Sequence, residues 1–389
     1  MKSKTFAILV ICIFIASTFI LACSLYLSSK ILTDKCYDWK NGRLHEMEPL
    51  LREEKSMYIG QKDLPFNAYV LGGSKAGFLQ KNKLDYYSGM NFYNFFSISG
   101  CFRDYKLFVE FLTEKHGYRI KEIILHLSTY ETECFAYGDY IPVSMQKNLF
   151  GKCKSILKKL TKLHLNIDLF VAYLYKKMND ADYTISKNGE YEMKKKLSAF
   201  QKNPEEYIRK NVTKINSDNR DIKELFFNSS RVKKSVCKKN IRALKNIKKL
   251  CDQYGIELKL VIGAHYINRL ANIWGDDFDN YLKDLISVNG KLWNFCGIND
   301  VNMNPYNFFN DGHFWFFVGD KMIETIYSET PNTSDMDAFG ILLTKDNIDS
   351  YIASQKEKWQ QLKDEYEATG TIKLYDMNHP SYLGNNVAK

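Results

Sequence analysis

Apolar positions fall into three patterns along the chain. The first is one long unbroken run. Residues 6–27, FAILVICIFIASTFILACSLYL, hold 22 positions without a charge. About 20 apolar residues at helical rise span a bilayer core. The second is a set of short apolar runs: residues 68–72, 122–127 (EIILHL) and 256–262 (IELKLVI). Short runs of this kind bounded by turn residues suit buried strands. The third pattern has helical spacing. Residues 104–116, DYKLFVEFLTEKH, repeat apolar positions every three or four and stop at Gly117, a C-terminal helix signal. Residues 231–249 place Cys237, Ile241, Leu244 and Ile247 on one helical face. A helix over 266–274, a short strand over 291–295 and a charged helix over 348–367 complete the reading. Strand, helix, strand in this order predicts βαβ units and a parallel sheet.

Residues 145–225 interrupt the alternation. They are Lys-rich, helical in places, and polar around 179–190. We read them as a helical insertion. The expected organisation is an anchor over 1–29, a juxtamembrane linker over 30–60, an α/β domain over 61–335 carrying the insertion, and a C-terminal helical extension over 336–389.

Composition changes this picture in two places. The 389 residues are 45% hydrophobic and 26% charged, enough apolar surface for one large domain or two smaller ones. Lys2 and Lys4 precede the apolar run, which suits a cytoplasmic N-terminus. Leu21 breaks the small-residue pattern of a cleavage site before Cys23. We therefore read an uncleaved signal anchor, with the body outside the cytoplasm. Of the nine cysteines, the seven beyond the apolar run show no CxxC spacing. That argues against a zinc site and against a dense disulfide framework.

Net charge is +10, and residues 231–249 carry nine Lys or Arg without an acid. A solvated helix face accounts for this run. Attraction to an anionic envelope polymer or to lipid headgroups is the functional alternative. Nucleic acid is not an expected partner for a body tethered outside the cell.

The chemistry candidates are Ser74 and His313. Residues 68–79 read AYVLGGSKAGFL, with Ser74 following two glycines at the end of a strand. Glycines there permit a sharp turn that exposes a hydroxyl. Ala76 stands where an α/β-hydrolase elbow has its last glycine, and no Gly-Lys-Ser/Thr makes a phosphate loop. By itself, Gly-Gly-Ser after a strand is also an ordinary turn. His313, in Asn310-Asp311-Gly312-His313, opens an apparent amphipathic helix, FWFFVGDKMIETIY. Imidazole is the usual base for a serine nucleophile, and an acidic or amide neighbour orients it. The two lie 239 residues apart, so only the fold can join them.

A serine just after the first strand and a histidine just before the last helix resembles the SGNH-hydrolase superfamily. More narrowly, the chain resembles membrane-anchored members that modify bacterial envelope polysaccharides, relatives of the alginate O-acetyltransferase group and the teichoic-acid D-alanylation protein. Further segments share the resemblance: Phe96-Ser97-Ile98-Ser99-Gly100, Leu125-His126-Leu127-Ser128, Ile262-Gly263-Ala264-His265, Leu292-Trp293-Asn294-Phe295, Phe339-Gly340-Ile341-Leu342-Leu343 and Asn347-Ile348-Asp349. It covers most of 65–352 outside the insertion.

The resemblance implies a three-layer, flavodoxin-like parallel sheet. It implies Ser74 as nucleophile and His313 as base, with the Ser74 and Gly100 backbone N–H groups and Ser128 forming the oxyanion hole. It implies no metal and no diffusible cofactor. The partners implied are a cell-surface polysaccharide and, for a transferase, a membrane-bound acyltransferase that hands over the acyl (acetyl) group. Three positions depart from the family. Asn310 stands where Asp-x-x-His has its Asp, with Asp311 next to it, so either residue is a candidate to orient His313. Ser128 replaces a longer donor, and Asn294 replaces an Asp. These departures keep a second reading open: a catalytically decayed fold serving as a glycan-binding or scaffold subunit, with Phe92, Tyr93, Phe95, Phe96 and Phe314 to Phe317 stacking on sugars.

Overall fold

In β1, Ala68–Gly72, every residue is buried. In β3, Glu122–Leu127, the same holds over six residues. Strands without polar alternation need cover on both faces, which is the environment of a parallel sheet between helices. The computed structural model describes residues 8, 10–11, 13–15, 17–18, 37–38, 43–44, 48–61, 64–98, 100–127, 141–159, 184–192, 194–204, 206–207, 234–267, 270, 274–310 and 312–369. Contacts divide the chain into two units. One contains Met1–Gly60, Gly138–Lys187 and Glu192–Lys194; the other contains Gln61–Tyr137, Asn188–Tyr191 and Lys195–Lys389.

The larger unit is α/β. Its central sheet holds β1, β2 (Phe92–Asn94), β3, β4 (Glu257–Ile262), β5 (Leu292–Asn294) and β8 (Ile341–Leu343). Their order across the sheet is β2-β1-β3-β4-β5-β8. The first five run parallel, and β8 closes one edge antiparallel to β5. A separate hairpin joins β6 (Phe308–Asn310) to β7 (His313–Phe314). The helices are α1 (Lys81–Ser88), α2 (Phe102–His116), α3 (Lys234–Tyr254), α4 (Asp276–Asn289), α5 (Phe316–Ile326) and α6 (Ile348–Thr369). α3 packs on α2 and on α4, while α5 packs on α1. Right-handed crossovers in this strand order put the first group over one face and the second over the other. The arrangement is compatible with three layers.

Pattern and structure agree where runs are long. α2 stops at Gly117, whose φ of 50° is one that a side chain resists. α3 buries Cys237, Leu244 and Ile247 and exposes Lys238, Lys239, Arg242, Lys245 and Lys249, a solvated basic face. They differ at two ends. Residues 336–389 are not purely helical, because β8 joins the sheet. Within the span read as an insertion, residues from Lys195 onward belong to the α/β unit, whereas Gly138–Lys187 belong to the other.

The smaller unit holds the helix Glu48–Ile59, where a linker with some helix was expected. Ser56 Oγ bonds Ser144 Oγ at 2.6 Å, and Val143 N–H donates to Glu53 at 3.0 Å. Short strands Tyr37–Asp38 and Arg43–Leu44 pair antiparallel. The expected anchor is described only in pieces between residues 8 and 18, all helical and exposed. Among the described residues no helix is long and apolar enough to cross a membrane. The described cysteines Cys101, Cys153, Cys237, Cys251 and Cys296 are free thiols.

Candidate active site

Parallel strands collect the loops at their carboxyl ends, and ligands favour the crevice where the strand order reverses. Here that point lies between β1 and β3, with Gly72 facing His126 in register. Gly72 is required by space: a Cβ there meets the His126 carbonyl at 2.5 Å. The chain then turns through Gly73 into a 3-10 helix, Ser74–Phe78. Asn94, at the end of β2, holds this turn. Its Nδ2 donates to the carbonyls of Ala76 at 2.7 Å and Leu79 at 3.1 Å. Those carbonyls need a partner once buried, and a strand-end amide supplies it.

His313 arrives on the hairpin. Asn310 and His313 are cross-strand partners, and Asp-Gly between two runs is a sequence signal for such a turn. The expected helix therefore starts later than the reading had it. α5 begins at Phe316, and His313 sits in β7. The His313 ring stacks on Phe309 at 5.5 Å and meets Phe78 edge-on at 6.0 Å.

The hairpin brings the two candidates together. Ser74 Oγ lies 2.8 Å from His313 Nε2. On the other side of the ring, His313 Nδ1 lies 3.0 Å from Asn310 Oδ1. The proton positions follow from a third bond. Gly312 N–H donates to the same Asn310 atom at 2.9 Å, so that atom is the amide oxygen. An oxygen only accepts, so Nδ1 carries the ring proton of the neutral imidazole. Nε2 is then free to accept from the Ser74 hydroxyl. Of the two candidates left open to orient the ring, Asn310 is the one among the described residues, and it bonds Nδ1. Asp311 and Ser128 lie outside the described residues.

Other expected positions do different work. The Ser74 backbone N–H has no partner among the described residues. The Gly100 N–H donates to the Ser97 carbonyl at 3.1 Å. Gly100 packs against the end of β1, where a Cβ lies 3.2 Å from the Gly72 carbonyl. Asn294 closes a turn after β5, exchanging bonds with the Cys296 backbone at 3.0 and 3.2 Å.

Among the described residues, no other imidazole bonds Ser74. His126 is fully buried beside Gly263, and burial, with the Lys75 cation adding to it, lowers its pKa to about 3. His265 bonds the Gly263 carbonyl at 2.8 Å. His116 stacks on Tyr69, and His379 lies outside the described residues. Among the described residues no three His, Cys, Asp or Glu side chains gather as metal ligands.

Phe92, Tyr93, Phe95, Phe96, Phe314 and Phe317 are buried, so these rings form core rather than a sugar-facing surface. Two residues escaped the sequence reading. Asn94 was signalled only by one amide ending the run Phe92-Tyr93. Tyr191, which packs 4.9 Å from Phe78, sits in the span read as an insertion and carried no signal. The chain matches no family model, no curated protein and no solved structure.

Proposed function

We propose that the chain is a membrane-anchored, extracytoplasmic serine esterase or O-acyltransferase of the SGNH type, acting on acyl esters of a cell-envelope polysaccharide. One observation carries this reading: Ser74 Oγ, His313 Nε2, His313 Nδ1 and Asn310 Oδ1 form a continuous bonded line. Two features support it. The order 2-1-3-4-5 is the flavodoxin-like order. The serine follows the first strand, and the histidine precedes α5, the helix after the fifth parallel strand.

The chemistry runs as acyl transfer in two halves. Ser74 Oγ attacks the acyl carbonyl carbon while His313 Nε2 takes the hydroxyl proton. Negative charge moves to the carbonyl oxygen, for which the Ser74 N–H is the available donor. Each such donor contributes roughly a hundredfold or more. The intermediate collapses, the leaving alcohol oxygen takes the proton from Nε2, and the acyl group remains on Ser74. Water or a glycan hydroxyl then attacks, His313 again takes a proton, and Ser74 is regenerated. No cofactor enters.

A specific observation favours the decayed scaffold as second reading: the Gly100 N–H is already bonded to Ser97. Turnover decides between them. The full chain in detergent is assayed on a small acetyl ester, with and without a glycan acceptor, beside Ser74→Ala. Loss of at least about a thousandfold in the variant is expected. Equal background rates in both proteins, with acceptor present, exclude the enzyme.

A further inference from the structure

In the smaller unit, the helix Leu149–Lys159 turns its polar side inward and its apolar side outward. Asn148 caps it: Asn148 Oδ1 accepts from Gly151 N–H at 2.7 Å, which satisfies one of the donors of the first turn. The inward side is small and polar. Ser155 is buried, and its Oγ accepts from Gln146 Nε2 at 2.9 Å. A Cβ at Gly151 meets the same Gln146 side chain. The helix packs there on the 3-10 turn Val143–Met145. Glu53 and Ser56 hold that turn to the helix Glu48–Ile59.

The outward side is apolar. Leu149 is 78% exposed, Phe150 80%, Ile156 46% and Leu157 62%. Cys153, also exposed, lies among them. At about 100° per residue these five fall within one arc of about 120°, opposite Ser155. Lys152 and Lys154, both exposed, stand at the two borders of the arc. The helix sequence, LFGKCKSILKK, holds four lysines and no acid.

A contiguous apolar stripe rimmed by polar residues marks an interaction surface. Cationic borders on such a stripe suit a membrane interface. There the ring and the aliphatic chains enter the acyl boundary, and the ammonium groups stay with the phosphates. A second observation names the same partner. The compact unit that contains this helix also contains residues 6–27, the run of 22 positions without a charge. We propose that the helix Leu149–Lys159 lies flat in the interface of the membrane that anchors the chain. Leu149, Phe150, Cys153, Ile156 and Leu157 enter the lipid, and Lys152 and Lys154 engage anionic headgroups. This placement rests on the membrane location proposed above and not on the acyl-transfer chemistry. So short a stripe binds lipid reversibly, so it seats a body that the N-terminal run tethers.

Cys153 serves as the reporter. In the full chain Cys12, Cys23, Cys36 and Cys134 are replaced by Ser, and the buried Cys101, Cys237, Cys251 and Cys296 are kept. Cys153 is labelled with an environment-sensitive fluorophore. The protein is reconstituted into phosphatidylcholine vesicles with and without phosphatidylglycerol. Blue-shifted emission and quenching by doxyl-labelled lipid are expected in the anionic vesicles. Phe150→Glu with Leu157→Glu is expected to lower the quenching at least about fivefold. Phe150→Ser with Leu157→Ser replaces that pair should the glutamates disturb folding. Lys152→Gln with Lys154→Gln is expected to bring the quenching in anionic vesicles down to the level in phosphatidylcholine alone. Water-like emission without quenching, in a chain that floats with the vesicles, overturns this inference alone. Shielding of the label that disappears as the protein is diluted in lipid assigns the face to a second copy and also overturns it. A chain that does not float with the vesicles removes the membrane location, and this falls with it.

Discussion

At the scale of single residues, the orientation of His313 is the point on which the chemistry turns. Asn310 holds the Nδ1 proton with a neutral amide oxygen, which keeps the right tautomer but stabilises an imidazolium less than a carboxylate does. Asn310→Asp adds that charge. Its kcat/KM is expected to rise several-fold, with the acidic limb of the pH profile moving up by about one unit. Asn310→Leu removes the acceptor from both His313 and Gly312, and a fall of roughly 10- to 100-fold is expected. A pH-rate profile of the three proteins checks both, and an unaltered rate in Asn310→Leu sinks the orienting role. The serine and the histidine were legible because each sits at a boundary that pattern marks, a strand end and a helix approach. The contact of Asn310 with the ring was not. It depends on hairpin register, since cross-strand partners share a face, and register is not written in spacing alone.

At the scale of elements, α1 and α5 meet over one face of the sheet, and a carboxyl is caught near their contact. Asp320 on α5 has a buried Oδ1 without a hydrogen-bond partner among the described residues. Burial pushes its pKa up to about 6, against the pull of Lys83 on α1. In the unfolded chain the group ionises near 3.8. Between these values the folded protein keeps a proton that the unfolded chain has lost. Stability therefore falls as pH rises through this window and stays reduced above it. Asp320→Asn removes the cost. Its advantage over the wild type is expected to be about 1–3 kcal/mol at pH 8 and to vanish near pH 4, as read by urea unfolding. Equal destabilisation by the variant at both pH values defeats the argument. Elements with long patterns, such as α2, β3 and β4, were legible from period alone. β2 escaped the pattern, and β8 showed only as a tail motif, because three residues cannot display an alternation. The hairpin was hidden because Phe314 to Phe317 continue the apolar face of α5 backwards, so that periodicity carried the helix past its true start.

At the scale of the whole molecule, two properties compete to decide where the protein sits. One is the uncharged run over residues 6–27, and the other is the net charge of +10 with the exposed cations of α3. Strand order was not legible in local pattern, because crossovers decide it; only the flavodoxin-like resemblance implied it. The proposed membrane location is open to direct test because the two properties respond differently to salt. A spanning helix buries apolar surface and resists both salt and alkaline carbonate. A basic face on anionic lipid is screened within about 8 Å at physiological ionic strength and is released by salt. The full chain is expected to stay with membranes through a carbonate wash and to leave only in detergent. Deletion of residues 1–27 is expected to move the remainder into the soluble fraction. Protease added to cells whose outer membrane, where there is one, is permeabilised while the inner membrane stays intact is expected to digest the body. A truncated chain that still pellets, and leaves in high salt, assigns the attachment to α3 instead. A body that protease cannot reach once any outer membrane is permeabilised, with the inner membrane intact, reverses the proposed orientation, and with it the envelope polysaccharide as substrate.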